Sequence, residues 1–157
     1  MTEKKYRDDD AVLKLENQLC FAVYACSREI IKRYRPHLDA LGITYTQYIT
    51  MMVLWEETTI SAKVLGERLL LDSGTLTPLL KKLEKQGYIT RQRSDEDERL
   101  LMITLTDAGQ ALKTSAAEIP YKIACDVGLE LTEGIALREK LKQLTKDIRE
   151  GNCEYSK

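Results

Sequence analysis

Cys20 and Tyr24 are four residues apart in a segment whose apolar residues recur at helical spacing. Four residues turn a helix by about 400°, so the two side chains lie on nearly the same face, one turn apart. A phenol O–H near a thiolate can hydrogen-bond to the charged sulfur and lower its pKa, which would make Cys20 a nucleophile. The spacing is also compatible with Cys20 as a small residue of the hydrophobic core, where free cysteines are common.

Other residues that could do chemistry are few. The chain of 157 residues has four cysteines and a single histidine, His37, and no two cysteines form a C-x-x-C pair. We therefore expect no metal and no cofactor, because a zinc site needs about four such ligands at short spacings. The sequence also contains neither a Gly-rich phosphate loop nor a G-x-S-x-G motif. These absences favour a binding protein that uses single thiols over an enzyme.

Charge is distributed unevenly along the chain. The formal net charge is −1, yet residues 73–93 carry five basic side chains against the single acidic residue Glu84. Local basicity rather than net charge determines whether a surface attracts nucleic acid. No apolar run approaches the ~20 residues needed to cross a bilayer. The N-terminal MTEKKYRDDD lacks the apolar stretch of a secretory signal, so we expect a cytoplasmic protein with no membrane partner.

The periodicity of apolar residues predicts helices before the basic stretch. A helix over about residues 12–35 is ended or bent by Pro36. A short helix capped by Thr46 and a second one capped by Ser61 follow. After a turn at residues 72–74, a further helix carries a stripe of leucines with lysines on its opposite side.

A charged hairpin and more helices complete the predicted order of elements. The sequence predicts two strands, over residues 89–93 and 100–105, joined by a six-residue turn. A helical region is predicted to begin at Thr106. Interruptions near Pro120 and Gly128 precede a last amphipathic helix over residues 133–150. The fold class is therefore mainly α with a small β-hairpin.

Two short helices, a tight turn and a charged hairpin form the order of a winged helix-turn-helix. The second helix can enter the major groove while the hairpin, or wing, contacts phosphates or the minor groove. Arg99 at the wing tip suits a narrow minor groove, and Asp97 could orient its guanidinium. The alternative is a solvated basic helix beside an ordinary acidic turn. The predicted DNA-contacting residues are Ser73, Gly74, Thr75, Thr77, Pro78, Lys81, Lys82, Arg91, Arg93, Asp97 and Arg99.

Three motifs carry a resemblance to a known family. Leu71-Asp-Ser-Gly-Thr-Leu-Thr-Pro-Leu-Leu-Lys-Lys-Leu-Glu and Ser94-Asp-Glu-Asp-Glu-Arg99 closely resemble the MarR family of winged-helix repressors. Lys14-Leu-Glu-Asn-Gln-Leu-Cys-Phe21 resembles its organic-hydroperoxide-sensing branch, usually called OhrR. The resemblance covers about residues 13–125. It implies a homodimer joined by N- and C-terminal dimerisation helices, with two winged-helix lobes on an inverted-repeat operator in double-stranded DNA.

This resemblance also implies a domain organisation. We expect a flexible tail over residues 1–12 and a second tail over residues 151–157. Between them, residues 13–150 are expected to form a single domain of the MarR type. Its DNA-binding lobe is expected at about residues 46–106.

The resemblance assigns a role to Cys20. In this branch the cysteine of the motif is the peroxide-reactive thiol, held by three tyrosines that correspond to Tyr24, Tyr34 and Tyr45. Tyr34 is 14 residues from Cys20, so a straight helix separates them by ~21 Å. If Tyr34 contacts Cys20, it therefore comes from a partner subunit.

The remaining cysteines have different expectations. Cys125 stands where the two-cysteine subclass has its resolving residue, so the resemblance implies a Cys20–Cys125 disulfide between subunits. Cys26 is six residues from Cys20 on a different helix face, and we expect a buried packing residue. Cys153 lies in a polar tail and is assigned no role.

The sequence thus predicts a redox-sensing transcriptional repressor rather than an enzyme. An organic hydroperoxide would oxidise Cys20 and release the repressor from its palindromic operator. Two alternatives remain open. One is a MarR-type repressor released by a small phenolic ligand, and the other is a thiol peroxidase that uses Cys20 and Cys125. The absence of a C-x-x-C pair and the presence of a wing argue against the peroxidase.

Overall fold

The computed structural model describes residues 9–151, which form helices and one small sheet. The predicted class, mainly α with a small β wing, is confirmed. Within the described residues, no helix combines the length and the apolar character needed to span a membrane. In chain order the elements are α1 (Asp9–Val12), a 3-10 turn (Leu15–Asn17), α2 (Leu19–Asp39), α3 (Tyr45–Glu57), β1 (Thr59–Ser61), α4 (Ala62–Leu69), α5 (Ser73–Lys85), β2 (Ile89–Arg93), β3 (Leu101–Leu105), α6 (Asp107–Ala116), α7 (Ile119–Val127) and α8 (Leu131–Glu150).

The chain divides into two compact units between Pro120 and Tyr121, within α7. The first unit contains the winged-helix elements, and the second contains most of α7 and all of α8. The single domain expected over residues 13–150 stays a prediction. Of the predicted tails, residues 9–12 form α1, whereas residues 1–8 and 152–157 lie outside the described part of the chain.

The wing belongs to a three-stranded antiparallel sheet with the strand order β1-β3-β2. Strands β2 and β3 form the predicted hairpin, in which Ile89 faces Leu105 and Arg93 faces Leu101. Strand β1 was not predicted, because three residues are too few to show the alternation of a strand. Its Ile60 pairs with Ile103 and extends the sheet toward the helices.

A hydrophobic core holds α5 against the other elements of the first unit. The predicted stripe of Leu76, Leu79, Leu80 and Leu83 is buried in the same cluster as residues of α3, α4 and the sheet. Full burial of each leucine side chain contributes about 1.5–3 kcal/mol. Because one face of α5 is buried, the opposite face with its lysines is exposed.

Helices α3 to α6 each begin at a side-chain cap, and one predicted cap is wrong. Ser61 caps α4 as expected, and Thr106, where a helical region was expected to begin, caps α6. Helix α3 is capped by Thr44 instead of Thr46. The Thr44 side chain accepts the Gln47 backbone N–H, and the Gln47 side chain accepts the Thr44 N–H. This reciprocal capping box needs a Thr-x-x-Gln spacing, which Thr44 provides and Thr46 does not.

The first long helix differs from its prediction at both ends. The chain leaves helical geometry after α1, passes through the 3-10 turn and enters α2 only at Leu19. Pro36 lies inside α2 and does not end it, since the helix continues to Asp39. Its missing N–H removes one backbone hydrogen bond, which a 21-residue helix tolerates.

Gly109 provides a stability test of this packing. A Cβ there would lie 2.2 Å from the Tyr88 carbonyl oxygen and 2.7 Å from Leu105 Cδ1. Gly109→Ala should therefore lower the free energy of unfolding by about 1–3 kcal/mol, measured by urea denaturation. The matched control is Gly134→Ala in α8, where an added Cβ would meet no atom within 4 Å beyond the backbone of its own helix in the single chain. Alanine is the better helix former, so the control should gain about 0.5–1 kcal/mol. Equal stability of the two variants would contradict the packing described here.

Candidate DNA interface and thiol site

The N-terminus of α5 is fixed by one carboxylate. Asp72 Oδ1 accepts the Thr75 backbone N–H at 2.9 Å, and Oδ2 accepts the Thr75 hydroxyl at 2.9 Å. These hydrogen bonds, the backbone one first, lower the pKa of Asp72 below its usual value. The cap positions Ser73 and Gly74 at the exposed start of the helix. The Thr75 hydroxyl is therefore committed to the cap.

The exposed face of α5 carries most of the predicted DNA-contacting residues. Thr77, Pro78, Lys81 and Lys82 are all exposed, on the side away from the leucine stripe. The Thr77 hydroxyl donates to the Ser73 carbonyl oxygen at 2.7 Å. Its oxygen retains acceptor capacity, whereas its proton is used within the helix. The structure thus groups these residues on one surface, as the helical pattern predicts.

The wing tip is organised by hydrogen bonds between side chains and the backbone. Arg93 Nη1 donates to the carbonyl oxygens of Glu98 and Arg99, each at 3.2 Å. Asp97 Oδ1 accepts the backbone N–H of Arg99 at 2.9 Å. The carboxylate of Asp97 therefore shapes the turn instead of orienting the Arg99 guanidinium. The Arg99 side chain is exposed at the tip, and its removal leaves these hydrogen bonds in place.

Arg91 has an internal partner that the sequence reading missed. Its Nε and Nη2 donate to Glu84 Oε2 at 2.9 and 2.6 Å, and its side chain is 20% exposed. This ion pair joins β2 to α5 and sets the wing relative to the helix. A signal was present in the sequence, since Glu84 is the single acidic residue in the basic stretch of residues 73–93.

The described thiols are accessible in the single chain. Cys20, Cys26 and Cys125 are all exposed and form no disulfide. The expectation of a buried Cys26 is wrong, because α2 leaves most of its side chains outside the core. Cys153 lies outside the described residues. Within residues 9–151, no cluster of His, Cys, Asp or Glu is arranged to hold a metal ion.

Tyr24 is exposed beside an arginine that the sequence reading did not single out. Its hydroxyl oxygen accepts a hydrogen bond from Arg28 Nη1 at 2.8 Å, and the Arg28 guanidinium lies 5.5 Å from the ring centroid. Arg28 thus occupies an oxygen lone pair of Tyr24 and leaves the phenol proton free to be donated. Arg28 follows Tyr24 by four residues, and this i, i+4 spacing was the available signal.

Tyr34 and Tyr45 lie together, as members of an aromatic cluster with Tyr48. The Tyr34 ring centroid is 5.0 Å from that of Tyr45 and 5.8 Å from that of Tyr48. Burial raises the pKa of all three phenols above the usual value, so each retains its proton at neutral pH. Tyr48 was missed, although it follows Tyr45 by nearly one helical turn. Cys20 and Tyr34 occupy the single helix α2, which supports their predicted separation.

Comparisons with known proteins agree with this fold and these motifs. The family described as transcriptional regulator SarA/Rot matches residues 28–115. The organic hydroperoxide resistance transcriptional regulator of Bacillus subtilis is 54% identical over 132 residues, 84% of this chain and 85% of that protein.

Solved structures of AbfR, a protein of Staphylococcus epidermidis, are also similar. Reduced AbfR bound to DNA has a TM-score of 0.73 and 39% identity over 88% of this chain and 97% of AbfR. Disulfide-formed AbfR has a TM-score of 0.60 and 38% identity over 90% and 96%. The matched relatives are regulators of transcription and not enzymes. The chain therefore belongs to the MarR and SarA group of winged-helix transcriptional regulators, in the branch of the organic hydroperoxide resistance regulator.

Proposed function

We propose that this chain is a homodimeric repressor that acts in the cytoplasm and leaves its operator when an organic hydroperoxide oxidises Cys20. The observation that carries the proposal is the exposed Cys20 thiol, one helical turn from a tyrosine with a free phenol proton, in a chain with a winged-helix lobe. The relatives add support, since the B. subtilis protein is named for organic hydroperoxide resistance and AbfR has a disulfide form.

The chemistry follows the first steps of thiol oxidation. The Cys20 thiolate attacks the terminal oxygen of the hydroperoxide, the O–O bond breaks, and the alcohol leaves after taking up a proton. The product is a sulfenic acid on Cys20. The Cys125 thiolate then attacks this sulfur, an S–S bond forms, and hydroxide leaves as water after protonation. The hydroperoxide is thus reduced by two electrons, and the two thiols supply them.

A second copy of the chain is proposed to cover the apolar surfaces of α2 and α8. Helix α8 has no buried residue in the single chain, and α2 has only Leu38. Large contiguous apolar surfaces are rare on soluble monomers and mark interfaces. A two-fold dimer would place two α5 helices for an inverted repeat, with half-sites about 34 Å apart. The exposed apolar residues include Leu19, Phe21, Val23, Ile31, Leu131, Ile135, Leu137, Leu141, Leu144 and Ile148.

The proposed dimer also accounts for the tyrosines. Tyr34 is ~21 Å along α2 from Cys20 of its own chain, so we place it at the Cys20 of the partner subunit. Tyr45 is held against Tyr34 and would approach the same thiol. Their half-buried, protonated phenols would donate hydrogen bonds to the thiolate.

The DNA contacts divide by role. The exposed residues at the start and outer face of α5 are proposed to contact bases and phosphates in the major groove. Arg99 is proposed to enter the adjacent minor groove. Arg91 and Asp97 are proposed to act on the protein side, because each is engaged within the lobe.

A second candidate is release by a small phenolic ligand. An open, largely apolar pocket of about 420 Å³ in the first unit favours it, and Ile31, Leu38, Ile43 and Tyr45 are among its lining residues. Such a ligand would need no thiol chemistry. Release from DNA that persists in Cys20→Ser would favour this candidate over the redox switch.

The proposed DNA interface predicts a contrast between an arginine and a lysine. Arg99→Ala should weaken operator binding by about 1–3 kcal/mol at constant salt, because it removes a groove contact. Lys82→Ala should instead lower the slope of log affinity against log salt, because one phosphate contact per subunit is lost. Both effects are measured by fluorescence anisotropy on the same duplex. Lys113→Ala, at an exposed lysine of α6, is the charge-matched control, and an Arg99→Ala affinity equal to that control would remove the wing from the interface.

The tyrosines predict a change in thiol reactivity without a change in DNA binding. Tyr34→Phe or Tyr45→Phe should slow the oxidation of Cys20 at neutral pH, because a hydrogen-bond donor to the nucleophilic thiolate is lost. The test measures the rate of Cys20 alkylation at neutral pH in the Cys26→Ser, Cys125→Ser, Cys153→Ser background. Equal alkylation rates with and without the phenol would exclude that tyrosine as a thiolate partner.

The proposed disulfide predicts a covalent dimer that forms only when Cys20 and Cys125 are both present. Cys20→Ser should bind operator and remain bound after peroxide, whereas Cys125→Ser should still be oxidised at Cys20. On a non-reducing denaturing gel, oxidised wild type should run as a dimer and both variants as monomers. The gel is repeated in Cys153→Ser, with Cys26→Ser as the matched control on α2. A dimer band that survives in Cys125→Ser and disappears in Cys153→Ser would refute the resolving role of Cys125.

A further inference from the structure

A side-chain relay joins the C-terminal end of α5 to the junction between α2 and α3. Gln86 caps α5, and its Nε2 donates to the Gly42 carbonyl oxygen at 2.7 Å. Its Oε1 accepts a hydrogen bond from Gln47 Nε2 at 2.8 Å. The two contacts span 44 and 39 residues of sequence, so they connect elements that are distant along the chain.

Gln47 is the central member of this relay. Its side chain is 5% exposed, and its Oε1 accepts the Thr44 backbone N–H at 2.8 Å within the capping box of α3. Both ends of the amide are therefore used, one for the start of α3 and the other for the end of α5. A buried amide that lost one partner would carry the full cost of its desolvation. This cost opposes separation of the two helix ends.

The relay begins beside the phenols proposed to hold the thiolate. Tyr45 is the first residue of α3 and directly follows Thr44, and its ring packs on Tyr34. The path from this aromatic contact to the end of α5 contains Thr44, Gln47 and Gln86. Each link between these three residues is a hydrogen bond of the described structure.

We propose that Gln86 is a positioning residue that couples the thiol site to the DNA-reading helix. The proposal rests on the proposed redox function. When oxidation displaces the tyrosines, the start of α3 moves, and the amide pair transmits this movement to the end of α5. The relay would thus convert a change at Cys20 into a change in the angle at which α5 meets DNA.

The first experiment measures the release factor, which is the operator dissociation constant after peroxide divided by the reduced value. The DNA is a duplex selected from a random pool by the reduced wild-type protein. Gln86→Met keeps the side-chain length and removes both hydrogen bonds. It should lower the release factor at least about fivefold, the low end of typical couplings between sites. Gln110→Met, an exposed glutamine of α6, is the matched control and should retain the wild-type factor.

A second measurement tests the relay without any oxidation. Hydrogen–deuterium exchange of the reduced protein is followed with and without the same duplex. In wild type, the duplex should slow exchange both in α5 and at residues 44–48. In Gln86→Met, it should slow exchange in α5 alone. A purely structural role of Gln86 would alter exchange equally with and without DNA.

The outcomes separate the relay from the redox proposal. If peroxide does not release the wild type, the proposed function fails, and the exchange experiment still decides the relay. If the wild type is released and Gln86→Met has the same release factor, the relay is wrong and the redox function stands. The relay would also be overturned if the duplex protected residues 44–48 equally in wild type and in Gln86→Met. It would be overturned as well if the duplex did not protect these residues in wild type.

Discussion

Burial of the leucine stripe of α5 is the constraint on which the rest of the structure depends. Leu76, Leu79, Leu80 and Leu83 are buried in one cluster with Leu54 of α3. An amphipathic helix with one face held in this way has its orientation about its own axis determined. The lysine-bearing face must then point outward, and the hairpin that follows must start at the C-terminal end of α5. The surface proposed to contact DNA is therefore a consequence of the core.

Apolar packing fixes the buried face of α5, but it is not directional, so polar contacts complete its placement. Asp72 fixes the first turn, the Glu84–Arg91 pair fixes the adjacent wing strand, and Gln86 fixes the last turn. The Glu84–Arg91 pair is partly exposed, so its contribution to stability is at most about 1 kcal/mol. Its importance lies in direction, since two guanidinium N–H groups converge on one oxygen of Glu84 and tie β2 to α5.

Helix α2 is the element whose surface is left largely uncovered in a single chain. It has 21 residues, yet only Leu38 is fully buried, and the thiol of Cys20 lies on its exposed surface. In the homodimer proposed here, this surface would be covered by the partner, whose Tyr34 would reach the thiol. A sensor built across an interface couples chemistry at one sulfur to the arrangement of two subunits. The same contact would then control both reactivity and the spacing of the recognition helices.

The sequence by itself determined the elements whose signals are local. The leucine stripe of α5, the hairpin strands and the caps Ser61 and Thr106 were predictable, because periodicity and capping depend on residues within one or two turns. The family motifs also identified the winged helix, since they occupy contiguous segments. The choice of Thr44 over Thr46 as a cap was equally local, and its Thr-x-x-Gln signal was available.

Only the tertiary structure decided the contacts between distant segments. The pairing of β1 and the Gln47–Gln86 hydrogen bond join residues that no local pattern associates. The isolated acidic residue Glu84 was a sequence signal, but only the structure showed that its partner is Arg91. Exposure of Cys26 was likewise undecidable from spacing, because a helix face is buried only if another element packs on it. Local patterns specify which faces of an element are apolar. The path of the chain through space determines what those faces, and the polar groups beside them, contact.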